Sequence, residues 1–155
     1  MEAKMEYKDL LDEKIFYWFS EISKIPRESG NEKEISDFLV KFANDRNLEV
    51  IQDDALNVLI KKAATSGYED RPVVAIQGHM DMVCVKNEDT DHDFENDPIK
   101  LLVEDGWITA DGTTLGADNG LAVAYILAVL DSDNIEHGPL EALITTAEET
   151  SMGGA

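Results

Sequence analysis

Cysteine is almost absent from this chain. Cys84 is the single one in 155 residues, so no internal disulfide can form. Basic residues are scarce: 13 Lys and Arg stand against 33 Asp and Glu, a formal net charge of −20. A surface that negative repels phosphate backbones and anionic lipid headgroups, so neither nucleic acid nor a membrane is expected as a partner. Long hydrophobic runs are missing as well. The longest, Leu121 to Leu130, falls well short of the roughly 20 residues that cross a bilayer. The first fifteen residues hold Glu2, Lys4, Glu6, Lys8, Asp9, Asp12, Glu13 and Lys14 where a secretion signal needs an apolar stretch, which predicts a cytoplasmic protein.

What remains is a globular composition, 43% hydrophobic and 30% charged, in a length suited to one domain. Leu11, Ile15, Trp18, Phe19 and Ile22 recur at helical spacing, and so do Ile35, Phe38, Leu39, Phe42 and Ala43. The stretch Ile25-Pro26-Arg27-Glu28-Ser29-Gly30-Asn31 separates these two amphipathic helices, and Asn31 with Glu34 resembles a capping pair for the second. Leu48 to Ile51, Val58 to Ile60, Val73 to Ile76 and Leu143 to Thr146 read as strands, with a turn at Thr65-Ser66-Gly67. Leu121–Leu130, apolar all round after a Gly-rich loop, reads as a buried helix. Helices mixed with near-continuously apolar strands predict an α/β sheet covered on its faces.

Residues 87–97 hold six acids, and Asp89, Asp91 and Asp93 alternate as calcium ligands do. Phe94 stands where such a loop needs Gly, however, and Lys100 where it needs a bidentate Glu, so this is a solvated acidic loop.

Three places can carry chemistry. In His79-Met80-Asp81 the carboxylate lies two residues from the imidazole, on the same side of an extended chain, and can take one ring nitrogen while the other binds a metal. A structural histidine fits the same residues. Asp118, in Leu115-Gly116-Ala117-Asp118-Asn119-Gly120, is either a helix-start acid or a held functional one. Glu148 and Glu149 follow an apolar strand. They are either a solvated strand end or a pair of acids placed beside a cation, at the carboxyl end of a sheet where ligands bind. Cys84 has no base beside it and reads as a small core residue, not a nucleophile.

Taken together, His79, Asp81, Asp118, Glu148 and Glu149 resemble the H-x-D, G-x-D-(D/N)-G and E-E motifs of the di-zinc peptidase and deacylase family that includes aminoacylases and carboxypeptidase G. Four segments resemble one branch of it, the aminoacyl-histidine dipeptidases or cytosolic non-specific dipeptidases (peptidase D). These are Ile25 to Glu32, Gln77 to Val83, His92-Asp93-Phe94 with Asp97-Pro98-Ile99, and Thr113 to Gly120.

The resemblance implies a three-layer α/β sandwich with a mixed, largely parallel sheet. It implies two divalent metal ions, zinc foremost with cobalt or manganese as alternatives, held by His79, Asp118 and Glu149. Asp118 would bridge them, Asp81 would orient His79, and Glu148 would act as general base on small peptides, Xaa-His dipeptides among them. It implies a homodimeric parent. The family's pattern has two further ligands, an acid soon after the Glu-Glu pair and a late His, and neither His92 nor His137 matches the latter. Residues 1–155 are therefore expected to be the N-terminal portion of a catalytic domain, without the lid or dimerisation domain and the rest of the catalytic sheet. Alone, the chain is expected to be inactive, at most a metal-binding or interaction module. A deacylase of N-acyl amino acids with the same chemistry is the alternative substrate class.

Overall fold

A computed structural model describes residues 13–154. Leu11 and the charged residues from Glu2 to Asp12 lie outside them. Helix α1 spans Lys14–Ser23 and α2 spans Lys33–Asp45, each burying its apolar stripe: Trp18, Phe19 and Ile22 from the first, Ile35, Leu39, Phe42 and Ala43 from the second. The two stripes meet where Trp18 packs edge-on to Phe42, ring centres 4.9 Å apart. Arg46, just past α2, lies 3.9 Å over the Phe42 ring and donates from Nε to Asp131 Oδ1 at 2.7 Å.

The predicted Asn31 cap is not formed. Glu32 occupies the N-cap position of α2, with no side-chain capping bond, because its carboxylate turns away to a distant backbone amide.

Strands β1 (Glu49–Gln52), β2 (Val58–Lys62) and β3 (Val74–His79) follow, then a hairpin of β4 (Leu101–Glu104) and β5 (Trp107–Ala110). The sequence reading missed this hairpin. Its signal is Asp105-Gly106 between two apolar runs, both residues at positive φ (50° and 83°) as a tight two-residue turn requires. Helix α3 (Ala117–Leu130) starts four residues ahead of the predicted apolar run, and β6 (Leu140–Thr145) leads to the short α4 (Glu148–Ser151). No helix among the described residues is long and apolar enough to cross a membrane.

The main sheet has the order β1-β2-β6-β3. It is mixed, as expected, but β1 with β2 and β2 with β6 are antiparallel, and only β6 with β3 is parallel. The expectation of a largely parallel sheet is thus corrected for the described strands. The short connection between β1 and β2 leaves no room for a crossover helix, so these strands must run antiparallel.

Among the described residues, helices cover one face of the sheet. Val50, Val58, Ile60, Ile76, Ala142 and Ile144 share one face, against which α2 and α3 pack, and α1 packs in turn on α3. On the other face Ile51, Leu59 and Leu143 lie in register across three strands, and Ile51 and Leu143 are exposed. No described helix covers them.

Two features fix α3 over the sheet. Lys62 Nζ donates to the carbonyls of Val129, Leu130 and Ser132 at 3.2, 2.9 and 2.6 Å, matching a cation to the helix C-terminus. At the other end Gly78 lets the helix start come close, since a Cβ there would meet Asn119 Oδ1 at 2.7 Å.

The one-sided core predicts unequal mutational costs. Leu39→Ala, at a fully buried site, should lose about 2–5 kcal/mol in urea unfolding. Leu143→Ala should lose less than about 1 kcal/mol. Equal losses would contradict a bare second face.

Candidate metal centre

The carboxyl ends of β3 and β6 are neighbours because these strands run parallel, with His79 paired to Thr145. That pairing brings the turn after β3 and the helix after β6 to one place. The centre of the cluster is Asp81, whose carboxylate is fully buried. It accepts from Ser29 Oγ at 2.6 Å, from the Glu148 amide at 3.1 Å and from the Glu149 amide at 3.2 Å. His79 Nδ1 lies 3.3 Å from Asp81 Oδ1 and 3.1 Å from the Asp81 carbonyl. Both neighbours of Nδ1 are acceptors, so they can hold a proton there and orient the ring with Nε2 towards the acids.

Burial alone would raise the pKa of Asp81. The donors from Ser29, the two amides and His79 outweigh it and hold the carboxyl below its ordinary value.

His79 Nε2 faces the acids. It is 3.2 Å from Asp118 Oδ1 and 3.6 Å from Glu148 Oε2. Donor atoms of His79, Asp118 and Glu149 all lie within 4.8 Å of one another. All five residues singled out from the sequence are therefore brought together. Asp118 does not cap α3: Gly116 holds the N-cap position, and Asp118 and Asn119 break the helical geometry (φ −87°, ψ 112° and φ −106°, ψ 22°), which turns the carboxylate towards His79. The Asp118-Asn119 peptide is cis.

Three acids converge here and, among the described residues, no Lys or Arg pairs with any of them. One imidazole with carboxylates of this spacing is a donor set suited to a divalent cation such as zinc, which would also relieve their mutual repulsion.

Residues of the turn between α1 and α2 complete the site, and sequence reasoning gave them no role there. Ser29 bonds Asp81, and the buried Glu32 accepts the Ala147 amide through Oε1 at 3.1 Å, just ahead of Glu148. Their only local signal is a Pro- and Gly-bounded turn crowded with polar residues; the partners lie far along the chain.

The acidic loop is held by its own bonds. Asp93 accepts from the Glu95 amide at 3.0 Å and from Asn96 Nδ2 at 2.7 Å. His92 packs edge-on against Phe94 with ring centres 4.5 Å apart, and His137 Nδ1 meets the Gly138 carbonyl at 2.7 Å, so both are used outside the cluster. Cys84 is half-buried in an extended segment past β3, which corrects the expectation of a buried strand residue. Burial, the first cause, and Glu28 push its thiol up to about 11, leaving almost no thiolate at neutral pH.

The fold and site define an α/β domain that gathers an imidazole and a group of carboxylates at the carboxyl ends of two parallel strands. The chain belongs to the peptidase family M20/M25/M40, whose family model matches residues 75–155. It is 44% identical to the cytosol non-specific dipeptidase of Escherichia coli K12 over 97% of its own length and 31% of that protein's. The crystal structure of aminoacylhistidine dipeptidase from Vibrio alginolyticus superimposes with a TM-score of 0.93 at 45% identity, again over 97% of this chain and 31% of that one. Bacillus subtilis YXEP, described as a dinuclear metal binding peptidase from the M20 family, matches at 21% identity with a TM-score of 0.53, over 87% of this chain and 35% of that one. At that identity the likeness bears on the fold alone. The chain spans about a third of the length of the curated relatives it matches.

The depressed pKa of Asp81 fixes the sign of an acid effect. Its stabilisation is complete above the ordinary carboxylate value of about 3.9 and is lost as pH falls through the lower folded value. Asp81→Asn should destabilise the chain at neutral pH and flatten the loss of stability below about pH 4; thermal melts from neutral to acid pH check this. An unchanged acid profile would place the sensitivity elsewhere. Cys84 should react with iodoacetamide far more slowly at neutral pH than a free thiol, as mass spectrometry would follow.

Proposed function

We propose that this chain is the N-terminal portion of the catalytic domain of a metal-dependent dipeptidase that hydrolyses short peptides, Xaa-His dipeptides among them, in the cytoplasm. The observation that carries the reading is the convergence of His79, Asp118 and Glu149 donor atoms within 4.8 Å. The likeness to the Escherichia coli dipeptidase and the Vibrio aminoacylhistidine dipeptidase supports the substrate class. The parent protein would carry a lid or dimerisation domain and the rest of the catalytic sheet in the two thirds of its relatives' length that this chain does not span, and would work as a homodimer. The bare second sheet face supports the missing layer.

His79 through Nε2, Asp118 and Glu149 would hold the two divalent ions, zinc in the first place. When bound, such ions lower the pKa of water and polarise a carbonyl, and the remaining steps fall to the protein. Asp81 would hold the proton on His79 Nδ1 once Nε2 binds an ion and, through the Glu148 and Glu149 amides, fixes the start of α4. Glu148, with Oε2 3.6 Å from His79 Nε2, would accept a proton from the attacking water. The water oxygen adds to the scissile carbonyl carbon, the C–N bond breaks, and Glu148 returns the proton to the departing amine nitrogen.

The two adjacent glutamates therefore serve different ends. In zinc titrations of the 155-residue chain, His79→Ala, Asp118→Asn and Glu149→Gln should each weaken binding, while Glu148→Gln should retain it. In the longer protein, Glu148→Gln should lower dipeptide turnover by about 10²–10⁴-fold with metal content unchanged. Equal metal loss in both glutamate variants, or full activity in both, would overturn these roles.

A further inference from the structure

Arg27 is 2% exposed and lies in the turn between α1 and α2. Among the described residues its charge is met by backbone carbonyls and not by a carboxylate oxygen. Nη1 donates to the Met80 carbonyl at 3.1 Å and reaches the Asp81 carbonyl at 3.5 Å, and Nη2 donates to the Gly116 carbonyl at 2.7 Å. Arg27 also accepts the Met82 amide on its own carbonyl at 3.1 Å. One planar fork thus joins the turn that carries His79 and Asp81 to the loop that carries Asp118, segments almost forty residues apart in sequence.

A buried cation without an ion pair is costly, and an apolar side chain would fill a purely structural turn at lower cost. Burial brings the guanidinium pKa down to about 10, so it remains a cation at neutral pH. The surroundings are shaped to it. At Gly116, with φ +69°, an added Cβ would collide with Arg27 Nη2, and at Gly120 it would lie 2.6 Å from the same atom.

We infer that Arg27 is a positioning residue of the metal centre, whose guanidinium sets the separation of His79 Nε2 from the Asp118 carboxylate by clamping the two backbone segments that carry them. Lys cannot replace it fully, because an ammonium lacks the planar pair of nitrogens that reach both segments together. The inference rests on the metal reading above for its ligand, while the clamp itself involves protein atoms alone.

The test uses the 155-residue chain, Arg27→Met, Arg27→Lys and Gly120→Ala. The glycine variant favours the helix intrinsically but crowds the guanidinium without removing its charge. Zinc affinity, measured by competition with a chromophoric chelator, should fall about 10–100-fold in Arg27→Met and Gly120→Ala, as outer-shell changes do, and Arg27→Lys should recover part of it. The visible absorption of bound cobalt should change in the same variants. In metal-free samples the ¹⁵N resonances of the His79 imidazole should shift in Arg27→Met and Gly120→Ala. Wild-type affinity, cobalt spectrum and His79 resonances in those two variants would overturn the inference. Should Arg27→Met fail to fold, Gly120→Ala and Arg27→Lys decide the matter. Should the parent chain take up no metal, the metal reading alone fails, and the His79 resonances still decide for the clamp if shifted or against it if not.

Discussion

The buried carboxylate of Asp81 is the constraint on which the rest of the site depends. A charged group with no exposed surface is stable only where donors surround it, and here they come from three separate parts of the chain. Ser29 reaches it from the turn after α1, His79 from the end of β3, and the Glu148 and Glu149 amides from the start of α4. Satisfying this one anion therefore orients the imidazole and fixes the backbone of both glutamates at once. A four-residue helix has little stability of its own, and an anion at its N-terminus is what a helix dipole favours.

Around that centre the fold acts as a set of spacers. The parallel pairing of β3 with β6 brings His79 beside Thr145, so both carboxyl ends open on the same side. Gly78 allows α3 to begin against β3, and the departure of Asp118 and Asn119 from helical geometry directs the acid to the imidazole. Glu32 holds Ala147 where the chain turns with φ 52° into α4. These contacts join residues that local sequence does not relate, and each orders backbone that carries a candidate ligand.

Much of the site was legible because its chemistry is written in short motifs. His79-Met80-Asp81, Asp118 and Glu148-Glu149 stand out by residue type and by position after strands or Gly-rich loops, and the structure gathers them. The supporting shell was not legible, since the bonds from Arg27 to Gly116 and from Glu32 to Ala147 cross 89 and 115 residues. Periodicity found α1 and α2, where apolar stripes are strong, and the all-round apolar run Leu121–Leu130 found most of α3. It placed the start of β6 and the end of β3 three residues off, because Leu140, Gly78 and His79 continue strands without continuing an apolar run. It also implied helices on both sheet faces: the run Val58-Leu59-Ile60 reads as doubly buried, yet the described residues cover one face only. The Asn31 cap failed for a tertiary reason, the pull of the Ala147 amide on Glu32.

The central claim is that this chain alone assembles a binding centre for a divalent cation from His79 and its neighbouring acids. X-ray absorption at the zinc edge of the zinc-loaded 155-residue chain tests it most directly. The account predicts one imidazole nitrogen with carboxylate and water oxygens around the metal, the imidazole scattering vanishing in His79→Ala. A shell of oxygens without imidazole, or one containing the Cys84 sulfur, would contradict it.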